Sequence, residues 1–197
     1  MNISKKAGAA ICLLLLLLLC PLKAAGAELE DISTSGMEIL SEEQKNQVED
    51  AVFQIPEAVM QKFQRLGGKL IFQNAPILLD KWENIEIWGA YWPGNNQIVV
   101  RTAPEIYEAS QGSLASTVLH EYGHFVYQHS VHRLSKQSRD ILQQNYNYYK
   151  NYSPLCYNEN ETFACFYAWH YLDMAEVSAD MQNVIKEAET LCGEVKP

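Results

Sequence analysis

The sequence predicts an α+β domain in which a small sheet lies above one long helix and the C-terminal half is helical. Three observations carry this. Strand-like runs fall at Lys69 to Gln73, Ile85 to Trp92 and Gln97 to Arg101; an apolar helical stretch follows from about Ser113 to Val131; a further helix opens after Asn158. The long helix carries His120, Glu121 and His124 among Leu114, Val118, Leu119, Phe125 and Val126. Residues four apart share a helix face, so both imidazoles can reach one ion, while Glu121 points toward an adjoining cleft.

Residues 1–27 read as a secretory signal. Lys5 and Lys6 precede an apolar run from Ala7 to Cys20, and Ala25 to Ala27 supply the small residues of a cleavage site. The apolar core is short for a spanning helix, so the expectation is a secreted, extracellular protein without stable membrane insertion once the signal is removed. Residues 28–197 are enough for a single domain, expected as a monomer. Removing Lys5, Lys6 and Lys23 leaves 12 of the 15 basic residues against all 24 acidic ones, a net charge of −12. The expectation is therefore no nucleic-acid partner. Cys156, Cys165 and Cys192 remain, an odd set that excludes a disulfide scaffold; a Cys156–Cys165 bridge is permitted by spacing and would tether the loop beside the helix that opens after Asn158.

In chain order, Glu28 to Gly36 lacks periodicity and reads as a flexible leader. A helical segment spans about 41–66: Ser41 and Gln44 form a capping box, Val48, Ala51, Val52 and Ile55 recur at helical spacing, and Pro56 interrupts. The second piece buries Val59, Met60 and Phe63 and stops at Gly67 and Gly68. The strand runs build a small mixed or antiparallel sheet, with Trp92 to Asn95 as a turn. Trp82, Trp88, Tyr91 and Trp92 fill a small core, or else Gly89, Ala90, Tyr91 and Trp92 form an edge strand that holds an extended peptide by main-chain pairing.

The long helix is capped by Ser113 or Ser116, and Gly123 within it implies close packing. His129 and His132 read as exposed. Tyr127 and Ser130 stand where the three-histidine metallopeptidase pattern needs Gly and His, so that class is excluded. A helix over Ser138 to Lys150 ends in a tyrosine-rich stretch before Pro154. Asn158 caps the next helix, whose first turns hold Glu159 and Glu161. Either completes a His, His, Glu zinc site, or both complement the helix dipole. One zinc ion per chain is expected, with three protein ligands and an open position where water is activated and Glu121 accepts its proton. The reaction so predicted is hydrolysis of a peptide or protein substrate. Asn151 and Asn160 each begin a glycosylation-type triplet, read as chance because the second overlaps the site.

The residues His120 to His124 and Asn158 to Phe166, with weaker support from Gly89 to Pro93 and Gln97 to Val100, resemble the anthrax-lethal-factor-like zinc peptidases, which include the secreted Pro-Pro endopeptidases of clostridia. The likeness covers roughly residues 85–175. It implies a zincin-like fold and zinc endopeptidase activity. His120, His124 and Glu161 would hold the metal, since the family's ligand precedes a Phe-Ala pair, and Glu121 would be the base. The family's oxyanion-stabilising tyrosine would lie at position 154, which is Pro154 here; Tyr152 is then the first candidate and Tyr157 the second. This departure, with the shortness of the chain, also admits a secreted zinc-containing binding or inhibitory module with a degenerate site. Cleavage preference does not carry over.

Overall fold

The computed structural model describes residues 32–77, 87–103, 113–173 and 177–194. The signal segment, Trp82 and the start of the second strand run at Ile85 lie outside these. The described chain is α+β: one four-stranded mixed sheet and six α-helices, with two single-turn 3-10 segments. No described helix is long and apolar enough to cross a membrane.

The N-terminal layer forms as its capping chemistry dictates. Ser41 accepts from Gln44 N, and the Gln44 side chain accepts from Ser41 N, opening α1 (Glu42–Gln54). Pro56 ends that helix and begins α2 (Glu57–Arg65), which closes where Gly67 takes φ +70° and its N–H donates to Gln64 O. Both helices bury their apolar stripes completely, including Val48, Val52, Ile55, Val59, Met60 and Phe63.

Four strands follow the order β1-β2-β4-β3: β1 (Ser33–Ser35), β2 (Lys69–Gln73), β3 (Gly89–Trp92) and β4 (Gln97–Arg101). The first three in that order run parallel, and β3 is antiparallel to β4 at the sheet's edge. At Ser33–Ser35, β1 corrects the reading of this region as a flexible leader, of which residues 28–31 lie outside the described residues. A three-residue polar strand has no sequence signature, because it is made by backbone pairing of Ser33 with Lys69 and Ser35 with Ile71. Among the described residues of the aromatic segment, Trp88 and Trp92 are 37% and 38% exposed rather than filling a core, and Tyr91 packs inward, its ring edge-on to Phe125.

The helical half contains α3 (Leu114–Ser130), α4 (Lys136–Tyr149), α5 (Glu159–Tyr171) and α6 (Ala179–Gly193). Ser113 rather than Ser116 caps α3, and Ser135 caps α4, so α4 starts two residues before the expected Ser138. His129 is half-buried with its ring on Phe125 rather than exposed; His132 is exposed. The core joins the faces of α1, α2, α3, α5 and α6 with β2 and β4.

One contact decides how α3 and α5 meet. A Cβ on Gly123 would lie 2.8 Å from Ala164 Cα and 3.0 Å from Tyr167 Cβ, so glycine is required by the close approach of α5. Gly123→Ala is expected to lower stability by about 1–2 kcal/mol, because overpacking against a helix backbone outweighs the gain in helix propensity. Thermal unfolding of the variant checks this.

Candidate metal centre

Helices α3 and α5 cross so that His120 and His124, on one face of α3, meet the N-terminal turn of α5. Asn158 fixes that turn: its side chain accepts from Glu161 N at 2.8 Å, and its carbonyl accepts from the Thr162 hydroxyl at 2.8 Å. Glu161 Oε2 then lies 3.2 Å from His120 Nε2 and 3.5 Å from His124 Nε2. His120, His124 and Glu161 each present one ligand atom, and all lie within 4.8 Å of one another. The side chains of the two histidines are 22% and 11% exposed, so the cluster is largely buried but reaches solvent.

Glu161 uses its two oxygens differently. Oε2 faces the imidazoles, while Oε1 accepts a hydrogen bond of 3.0 Å from the Tyr157 hydroxyl. Burial alone would raise the Glu161 carboxyl, but the hydrogen bonds from His120 and His124 and their charge hold it well below the usual carboxylate range. For His124 burial lowers the pKa, yet the hydrogen bond to Glu161 and the charges of Glu121 and Glu161 outweigh it and push the imidazole up to about 9. On its other side His124 Nδ1 lies 2.9 Å from Asn160 Oδ1.

Glu121 follows His120 on α3 but turns toward the sheet. It is 4% exposed, and burial pushes its carboxyl up against the opposing pull of His124 and His120. The Tyr91 main-chain N–H donates to it. Gly89 makes room for it, since a Cβ there would lie 2.6 Å from Glu121 Oε1. Glu121 Oε2 is buried without a hydrogen-bond partner among the described residues. A buried charged oxygen left in that state costs a few kcal/mol, so the position is one that a water or a reacting group would complete.

The structure therefore brings together His120, His124, Glu161, Glu121 and Tyr157 with the edge strand β3. Two candidates are not brought in. Glu159 lies two residues from Glu161, on the opposite side of α5, where it accepts from the Tyr127 hydroxyl at 3.3 Å. Tyr152 is 73% exposed, with its ring centroid 5.0 Å from that of Tyr148 and no contact to the cluster. Tyr157 takes the place beside Glu161 that Tyr152 was expected to occupy, because the chain turns at Ser153 to Cys156 and returns Tyr157 directly onto the cap of α5. Of the edge-strand residues, Gly89 and Tyr91 touch Glu121, Ala90 is half-buried and Trp92 is exposed.

Asn160 is the residue that sequence reasoning passed over. It was legible only as the start of a glycosylation-type triplet, and nothing in the spacing connects it to a histidine 36 positions earlier. The cysteines Cys156, Cys165 and Cys192 are all buried and unbridged. The Cys165 thiol acts on that of Cys156 and brings it down to about 7. A scan against protein-family models and a search of curated proteins both return no match to this chain.

Proposed function

We propose that this protein is a secreted zinc-dependent endopeptidase of the lethal-factor-like, zincin-fold kind. The observation that carries the reading is the convergence of His120 Nε2, His124 Nε2 and Glu161 Oε2 beside a buried carboxylate with an unpartnered oxygen. The donor chemistry suits zinc, and two of the three separations already match a tetrahedral site. Atoms held about 2.0–2.2 Å from a tetrahedral ion lie about 3.3–3.6 Å apart. The two nitrogen-to-oxygen separations here are 3.2 and 3.5 Å. Two imidazoles and one carboxylate are the ligands of an open, catalytic zinc site, whereas structural sites are closed by four Cys or His.

When bound, zinc supplies Lewis acidity that polarises a carbonyl and makes water nucleophilic near neutral pH. The chain's own residues supply the rest. Glu121 Oε2 accepts the proton that water loses as its oxygen attacks the peptide carbonyl carbon, and it returns that proton to the amide nitrogen as the C–N bond breaks. Tyr91 N–H and the space at Gly89 hold Glu121 in position for both transfers. Tyr157, whose hydroxyl bonds the ligand Glu161, takes the oxyanion-stabilising role in preference to Tyr152; burial and the neighbouring Glu161 push it up to about 12, so it remains a hydrogen-bond donor. The edge strand β3 offers main-chain groups for an extended peptide, with exposed Trp88 and Trp92 beside it. The apolar run after Lys6 and the small residues at 25–27 support export.

Incubating the mature protein with a diverse peptide library, with and without a chelator, tests the reading. Chelator-sensitive cleavage at internal bonds is expected. Stoichiometric zinc without any cleavage would instead identify a binding module.

Zinc uptake should also depend on pH. A ligating imidazole must be neutral, so the proton on His124, held up to about 9 in the metal-free protein, has to leave. Zinc affinity is therefore expected to rise with pH from about 6.5 to 9 and then level off. Metal-free stability should move the other way. A raised His pKa contributes stability that is complete below the unfolded value of about 6.5 and is lost as pH rises through about 9. Glu161 has the opposite sign: its contribution is present above the unfolded value of about 4.5 and is lost as pH falls toward its depressed folded value. Chelator-competition titrations and melting curves across this range check both trends.

A further inference from the structure

We infer that Asn160 is a positioning residue for the metal centre: its side-chain oxygen accepts the Nδ1 proton of His124 and so fixes the tautomer and ring orientation that present Nε2 to the ion. This inference rests on the zinc reading above and deepens it.

An imidazole that binds a metal through one nitrogen must carry its proton on the other, and the group that accepts that proton sets the ring's direction. His124 meets both conditions. Its Nδ1 is 2.9 Å from Asn160 Oδ1, and its Nε2 is 3.5 Å from Glu161 Oε2 on the cluster side. Asn160 is itself held rigidly. It precedes Glu161 in the first turn of α5, and that turn is fixed by the Asn158 cap, so one backbone segment delivers both the ligand and the acceptor that orients a second ligand.

The choice of an amide also has a physical reason. Glu121 and Glu161 already bring two carboxylates to this small space. A neutral oxygen orients the ring without adding a third negative charge. The same engagement accounts for the Asn160-containing glycosylation-type triplet as coincidence, since the side chain is committed to His124 within a helix.

The test uses the full mature protein and its Asn160→Ala and Asn160→Asp variants, with zinc and cobalt as probes. Zinc affinity is measured by chelator competition, and the ligand field is read from the visible spectrum of the cobalt-loaded form. Asn160→Ala is expected to lose about 10–100-fold in zinc affinity and to alter the cobalt spectrum. Asn160→Asp, which keeps an acceptor at the same place and suits a helix N-terminus, should restore wild-type affinity or better together with the wild-type spectrum. Melting of the metal-free forms reports whether each variant folds. Should Asn160→Ala fail to fold, Asn160→Asp decides alone: wild-type affinity and spectrum support the role, and loss of both overturns it. Equal losses in Ala and Asp would mean a packing role and overturn the inference. An Ala variant within twofold of wild type, with an unchanged spectrum, would overturn it too. If the wild-type protein takes up neither zinc nor cobalt, the proposed function itself fails, an outcome distinct from the others.

Discussion

Glu121→Gln is expected to retain one zinc per chain while peptide hydrolysis falls by about 10²–10⁴-fold, the contribution of a positioned general base. The substitution keeps the shape of the side chain, so the fit against Gly89 survives. What disappears is the capacity to accept a proton. Because burial pushes the Glu121 carboxyl up, loss of its negative charge at low pH should set the acid limb of the wild-type rate profile: kcat/KM rises with pH as Glu121 ionises. In Glu121→Gln that limb should be absent from whatever activity remains. Stability should hold or increase, since a buried ionisable group has been replaced by a neutral one of the same size. Metal analysis, melting curves and pH–rate profiles on the two proteins check all three, and full activity in the variant would remove Glu121 as the base.

The second large effect is expected at Glu161. Glu161→Ala leaves two imidazoles and no carboxylate, and its loss of zinc affinity should exceed the roughly 100-fold upper range for residues that only orient ligands. Glu159→Ala should bind zinc normally, because Glu159 lies on the far side of α5 with Tyr127. A metal-free readout separates ligand loss from general damage. The raised pKa of His124 depends on the hydrogen bond and charge of Glu161, so in Glu161→Ala it should fall from about 9 toward 6.5. Proton titration of the His124 ring by NMR measures this directly. Unchanged zinc binding in Glu161→Ala together with its loss in Glu159→Ala would reassign the third ligand.

Local chemistry accounts for the parts of the molecule that were legible in advance. Ser41 with Gln44, and Asn158 ahead of Glu161, are capping patterns whose partners lie within three residues, and each forms the expected hydrogen bonds. His120 and His124 share a face because the helix repeat requires it. The apolar positions of α1 and α2 are buried where the periodicity put them. Gly123 signalled a close approach, and α5 is what approaches.

Other features depended on pairings between distant segments. β1 exists only because Ser33 to Ser35 find the backbone of β2, a contact to which polar side chains contribute no pattern. Of the two readings of the aromatic segment, core filling does not hold for Trp88 and Trp92, which are partly exposed at the edge strand β3. Which tyrosine stands beside Glu161 was illegible for a similar reason. Counting residues back from Glu161 says nothing about a loop whose length is taken up in turns at Ser153 to Cys156, and that folding brings Tyr157 to Glu161 while leaving Tyr152 on Tyr148.

Residue order alone set out the chemistry on offer: two imidazoles and a carboxylate on one helix, a second helix opening with two more carboxylates, and the glycine that lets the two helices approach. Only the packed helices select which of those carboxylates faces the imidazoles, which phenol stands beside it and which amide meets His124. Helical periodicity and capping are set within a few residues and can be read along the chain. Selection among Glu159, Glu161 and Asn160 depends on the rotation of α5 against α3, where Gly123 packs on Ala164 and Tyr167, and selection between Tyr152 and Tyr157 depends on the turns at Ser153 to Cys156.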